Sequence, residues 1–234
     1  MLLTILWIDK RDKQDNYFKG ADASWPHKFM SLRLKYFNNT RKPKGILGKA
    51  MIVRMNRHHT PLVSWALSHF PNDDINTILD IGCGGGKNAL ELLKLYKNAH
   101  LTAVDYSKVS VNNSRKMLRC EIKNNRCEVL EQDVMNLTLE KDNFDLITAF
   151  ETVYFWPDLE ISFKNVLDCL KRGGKFIITH EADGITHNQW DGVLDGLTIY
   201  TADELKEKLL SVGFSSVESF HHENNPWIVV IGTK

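Results

Sequence analysis

Thr77-Ile78-Leu79-Asp80-Ile81-Gly82-Cys83-Gly84-Gly85-Gly86-Lys87 decides the fold. Residues 77–81 form a short, mostly apolar, β-branched run bounded by glycine, which reads as a buried strand and is too brief for a helix. Residues 87–97 then place Leu90 with Leu93, and Leu92 with Tyr96, three or four apart, the spacing of an amphipathic helix. Between them stand four glycines in five positions. Such a turn lets the backbone bend sharply and approach a ligand, while the helix behind it offers unpaired N–H groups and partial positive charge. A glycine-rich turn alone is also what a plain tight loop looks like, so its neighbours must decide.

Outward from this turn, β-rich runs alternate with helical ones. Residues 101–105, 127–131 and 144–150 read as further strands, with a helix over 108–122 between the first two. A helix is expected to open at Pro157-Asp158, with proline in its first turn, and to stop at Arg172-Gly173-Gly174 before a strand over 175–179. Thr201-Ala202-Asp203-Glu204 has the form of a capping box for a helix ending near Gly213, and the closing runs 216–221 and 227–231 read as an antiparallel hairpin. The expected fold is α/β: a doubly wound, mostly parallel seven-stranded sheet with a C-terminal antiparallel hairpin. The first seventy-odd residues lack this alternation, but Leu62, Trp65, Ala66 and His69 share one helical face. We therefore expect a helical N-terminal cap over 1–72 and a main domain over 73–234. The apolar start, residues 1–8, lacks a basic leader and cleavage site and reads as a strand or docked terminus.

Composition fits a soluble domain: 43% of the 234 residues are hydrophobic, 25% are charged, and no apolar stretch reaches the roughly 20 residues of a membrane span. Cys83, Cys120, Cys127 and Cys169 include no Cys-x-x-Cys pair and no histidine at zinc-finger spacing, so a reduced, cytoplasmic setting is expected, with Cys120 and Cys127 buried. The net charge of +1 conceals an asymmetry, because no acidic residue falls between Asp22 and Asp73 while Lys28, Arg33, Lys35, Arg41, Lys42, Lys44, Lys49, Arg54 and Arg57 do. That stretch either balances an acidic remainder or steers an anionic substrate or RNA.

The glycine spacing separates two cofactor classes. A nicotinamide or flavin fingerprint starting at Gly82 needs glycine where Lys87 stands, which disfavours an oxidoreductase. Asp80, Gly82, Gly84 and Gly86 instead resemble motif I of the class I S-adenosylmethionine-dependent methyltransferases. The resemblance implies S-adenosylmethionine as donor and S-adenosylhomocysteine as product. It also implies that Asp105, ending the second strand about twenty residues on, holds the ribose hydroxyls, with Tyr106 against the adenine face. Residues 132–137 resemble the family's adenine corner, where Asp133 accepts from the exocyclic amine and the Val134 N–H meets the ring. Residues 143–147 and 170–175 resemble later blocks, so the likeness runs over 77–179.

Methyl transfer is an in-line displacement, and residues after the fourth strand face the crevice where it occurs. There Glu151 is expected near the donor's methionyl part and Tyr154 or Trp156 near the acceptor, although core packing explains Trp156 and Phe155 equally well. Glu151, Tyr154 and His180 are the catalytic candidates. Asn56, His59, Tyr154, Trp156, His180 and Glu181 are the acceptor-side candidates, His58 being another histidine able to supply a base. The adjacent pairs His58-His59 and His221-His222 lack the i, i+4 spacing of a zinc site, so no metal is expected. Glu151-Thr152-Val153-Tyr154 is not the Asn/Asp-Pro-Pro-Tyr/Phe block of nucleic-acid amino-methyltransferases, which favours a small-molecule acceptor. RNA and a sensor that binds the donor without turnover remain alternatives.

Overall fold

The computed structural model describes residues 60–181 and 198–234. Residues 1–8, Asn56, His58, His59 and the expected cap before Thr60 lie outside the described residues. Helix α1 (Thr60–Leu67) leads into β1 (Thr77–Ile81), α2 (Lys87–Leu95), β2 (His100–Asp105), α3 (Lys108–Met117), α4 (Arg119–Lys123) and β3 (Cys127–Glu131). Strand β4 (Phe144–Phe150), α5 (Leu159–Cys169), β5 (Leu170–Glu181), α6 (Ala202–Val212), β6 (Ser216–His221) and β7 (Trp227–Thr233) follow.

The strands lie in the order β3-β2-β1-β4-β5-β7-β6. The first five run parallel, and β7 is antiparallel to both β5 and β6, which makes the expected doubly wound sheet with its hairpin. Both faces are covered, so adjacent residues on one strand feed different cores. Ile78 packs with Ala89, Leu92, Val111 and Phe70 on the α1, α2 and α3 side, while Leu79 packs with Phe163, Val166, Leu205 and Phe176 on the α5 and α6 side. The strand order reverses between β1 and β4, which run parallel, and this switch point opens a crevice at their carboxyl ends.

Several boundaries differ from the sequence expectation for identifiable reasons. The helix expected over 108–122 breaks at Leu118, whose ψ of 11° unwinds the backbone and whose side chain is fully buried. Asp158, not Pro157, opens α5: its carboxylate accepts from the Ile161 N–H at 3.0 Å, which places the proline one residue outside the helix. Helix α5 stops at Cys169 because buried Leu170 is already extended and paired with Phe144. Arg172-Gly173-Gly174 is therefore no helix cap. It lies in a bulge of β5 between the Phe144 and Leu146 registers. Cys120 is exposed, correcting the expectation of burial, whereas Cys127 is buried as expected.

The turn after β1 is anchored by its neighbours. The Val104 carbonyl accepts from the N–H groups of Gly82 at 2.8 Å and Cys83 at 3.0 Å. Gly82, Gly84 and Gly86 have φ of 76°, 54° and 80°, the left-handed region that glycine enters without steric cost. A Cβ on Gly82 would stand 2.4 Å from the Thr152 methyl, and one on Gly86 3.0 Å from the Ser114 backbone. Gly82→Ala is thus expected to lower the denaturation midpoint markedly, by roughly 1–2 kcal/mol for the left-handed backbone alone plus the clash. Thr201→Ala removes the capping box formed with Glu204, and chemical denaturation should record a loss of about 1 kcal/mol.

Candidate donor and acceptor site

At the end of β2, Asp105 sits opposite the glycine turn. Its Oδ2 accepts from the Gly84 N–H at 3.0 Å and its Oδ1 from the Ser107 N–H at 2.8 Å. The carboxylate therefore faces the turn, as the sequence spacing predicts, and its orientation is held by two backbone donors. Ser107 caps α3 by accepting from Ser110, so one short stretch both starts that helix and aims Asp105. Tyr106 is half-buried beside it.

Asp80 lies beneath the turn, 1% exposed, with Oδ1 accepting from the Thr148 hydroxyl at 2.9 Å. Its Oδ2 is buried with no hydrogen-bond partner. Burial pushes its pKa up to about 7; the Thr148 hydrogen bond works against that and the charge of Asp105 adds to it. Cys83 is equally enclosed, and burial together with both aspartates drives its thiol well above the ordinary range, so it is no nucleophile.

The residues present fit a nucleoside-bearing donor in two independent ways. A Cβ built on Gly84 meets nothing nearer than the Gly82 carbonyl at 4.0 Å, so this glycine borders open space. The Asp80 Oδ2 is a buried acceptor lacking a partner. Farther along, Asp133 is exposed and caps a single 3₁₀ turn, Val134–Asn136, accepting from the Met135 N–H at 3.0 Å. The Val134 side chain is buried in the core, which holds this corner against the sheet.

After β4 the chain turns through Glu151, whose φ of 58° is left-handed and unfavourable for any residue that carries a Cβ. Its N–H donates to the Thr179 carbonyl, its Oε1 accepts from the Glu181 N–H at 2.6 Å, and its Oε2 accepts from the Tyr154 hydroxyl at 3.2 Å. Burial raises the Glu151 carboxyl to about 7, against the Tyr154 hydrogen bond, and the same enclosure pushes the Tyr154 phenol well above its usual range. The Tyr154 ring meets the His180 ring edge-on at 6.2 Å. Glu151, Tyr154, His180 and Glu181 are thus brought together across the ends of β4 and β5.

Trp156 is not. Its ring stacks on Phe176 and meets Phe163 edge-on inside the core, the packing role that the sequence left as the alternative. Three contacts escaped the sequence: Thr152 against Gly82, Ser114 donating to the Gly84 carbonyl at 2.9 Å, and Thr148 on Asp80. They are short-range neighbours only in space, and no spacing rule announces them. Among the described residues no cluster of three histidine, cysteine or acidic side chains is arranged to hold a metal, and no helix is long and apolar enough to cross a membrane.

Comparison with known proteins agrees with this geometry. A family model described as a methyltransferase domain matches residues 72–219. A sterol 24-C-methyltransferase from Gibberella zeae is 25% identical over 155 residues, 63% of this chain and 40% of that protein. A ubiquinone biosynthesis O-methyltransferase from Coxiella burnetii is 33% identical over 105 residues, 44% of this chain and 42% of that protein. The chain therefore spans less than half the length of these curated relatives. A crystal structure of an S-adenosylmethionine-dependent methyltransferase from Aquifex aeolicus shares the fold with a TM-score of 0.65 at 16% identity, over 79% of this chain and 97% of the other. With a family match over most of its length and a glycine turn set against Asp105, the chain belongs to the class I S-adenosylmethionine-dependent methyltransferase family.

Proposed function

We propose that the chain transfers the methyl group of S-adenosylmethionine to a small organic acceptor held beyond the ends of β4 and β5. The observation that carries this reading is the turn itself: Gly84 borders open space while its N–H is tied to the carboxylate of Asp105. When bound, the donor supplies a methyl carbon already activated by its sulfonium, so the protein's work is alignment and exclusion of water.

The residues divide that work by position. Asp105 presents a fixed carboxylate to the ribose diol, and Gly82, Gly84 and Gly86 let the backbone come close to the rest of the donor. Asp133 and the Val134 N–H receive the adenine edge, with Tyr106 alongside its face. Asp80 closes the site from beneath. Glu151 and Tyr154 stand where the methyl group is expected, with His180 and Glu181 beside them on the acceptor side. Asn56 and His59 keep their place as acceptor-side candidates from the preceding segment, and Trp156 is assigned to the core.

The relatives named for a sterol and for ubiquinone biosynthesis support a small-molecule acceptor over RNA. The carboxylates of Asp80, Asp105, Glu151 and Glu181 at the strand ends favour a neutral or cationic acceptor over the anionic one suggested by the basic stretch before Asp73. An acceptor hydroxyl or amine must lose a proton during attack, and Glu151 is the carboxylate placed to take it.

Incubation with methyl-labelled donor and a panel of sterols, fatty acids and phenols tests the reading; a labelled product is expected, and donor binding without turnover on any acceptor would make the protein a sensor. Asp105→Ala removes a charged acceptor worth about 1.5–3 kcal/mol, so calorimetry should record donor affinity reduced by about tenfold to a hundredfold. Gly84→Val should abolish donor binding, by filling the open space beside the turn and straining its left-handed backbone, with a lowered melting temperature but a circular dichroism spectrum that still shows the folded α/β domain. Because the Glu151 carboxyl is raised to about 7, its base form grows as pH climbs through that value. Turnover should rise over the same interval, and Glu151→Gln should lower kcat and flatten the profile; wild-type kinetics in that variant would return Glu151 to a structural role.

A further inference from the structure

Four buried carboxylates, Asp80, Asp105, Glu151 and Glu181, lie near the donor crevice, and they are not equivalent. Asp105 has both oxygens on backbone N–H groups, and both oxygens of Glu151 are engaged by Glu181 and Tyr154. Asp80 has one hydrogen bond, from Thr148, and its other oxygen is buried with no partner. Among the described residues no cation forms an ion pair with it. Of the groups that face it, the charge of Asp105 from β2 opposes its ionisation, the thiols of Cys83 in the turn and Cys127 on β3 bring no compensating charge, and the Thr148 hydroxyl from β4 favours the anion with a single hydrogen bond. A carboxylate so placed lacks the compensation that ionisation in a dry site requires.

We propose that Asp80 is a proton-linked group of the donor site: it holds a proton in the free protein and releases it when the cationic donor settles on the glycine turn above it. The proposal rests on the donor reading given above. A sulfonium in this low-dielectric region stabilises the anion it approaches, so a neutral acid plus a cationic donor becomes an ion pair plus one proton released to solvent. The free-state pKa of about 7 sets the window. Below it, binding must expel the proton and weakens as pH falls; above it, Asp80 is already ionised and binding is insensitive to pH. Donor affinity should therefore fall about tenfold from pH 8 to pH 6.

Calorimetric titration of the full chain with S-adenosylmethionine, at pH 6 and pH 8 in buffers of differing ionisation enthalpy, reads the released proton directly. About one proton per donor is expected at pH 6 and close to none at pH 8. Because the Glu151 carboxyl is also raised to about 7 and stands by the methyl group, the Asp80 proton is read in the Glu151→Gln background, where release at pH 6 should persist and the added change Asp80→Asn should abolish it. Thr148→Val removes the bond that favours the Asp80 anion and should move the midpoint of the affinity profile to higher pH, a readout available even if Asp80→Asn does not fold. Absence of proton release at pH 6, release lost in Glu151→Gln, or release that survives Asp80→Asn in the Glu151→Gln background would each overturn the proposal. Failure of the donor to bind at either pH would instead overturn the donor reading on which it rests.

Discussion

The bonds that fasten the turn after β1 onto the end of β2 are the constraint from which the rest of the site follows. A single carbonyl, that of Val104, accepts from Gly82 and Cys83, and the next side chain, Asp105, accepts from Gly84. This places the start of α2 over the switch point. The other two glycines are packed as tightly as the backbone allows, Gly82 against Thr152 beyond β4 and Gly86 against Ser114 of α3. Three elements thus converge on one turn. Its shape exists before any ligand arrives, so little conformational entropy remains to be lost on binding.

The same convergence explains why the acceptor side is built as it is. Thr152 can lie against Gly82 only if the chain reverses immediately after β4, and Glu151 makes that reversal in a left-handed conformation. A non-glycine residue there costs about 1 kcal/mol or more, and such strain persists where surrounding contacts over-determine it. Here the Thr179 carbonyl, the Glu181 N–H and the Tyr154 hydroxyl hold Glu151 from three directions. Its carboxyl is thereby kept buried, raised in pKa and close to the strand ends. The glycine turn and the turn after β4 meet through the contact between Thr152 and Gly82, and the strained residue lies at their junction.

Charge gives the site its character. Asp80, Asp105, Glu151 and Glu181 are all buried at the carboxyl edge of the sheet, where, in the function proposed above, a positively charged donor would offset their mutual repulsion. The methyltransferase fold supplies the crevice, and these buried carboxylates stand at its edge.

Much of this was legible in the residues themselves. Strands β1 and β4 could be read to their ends, because parallel strands buried on both faces are nearly continuous apolar runs and because glycine interrupts β1 in an unmistakable way, and the edge strand β3 by its alternation of buried Cys127 and Val129 with exposed Glu128 and Glu131. Asp80, the three glycines and Asp105 were equally visible, since local chain geometry binds their spacing to the turn. What sequence could not decide was every choice made by a distant neighbour. Leu170 joined β5 rather than ending a helix because Phe144 was there to pair with it, and Trp156 entered the core because Phe163 and Phe176 left room for its ring. The partnerless oxygen of Asp80 belongs to the same class. Backbone preference and hydrophobic period are local and act along the chain, whereas pairing, burial and the protonation they impose depend on which atoms the finished fold brings within a few ångströms.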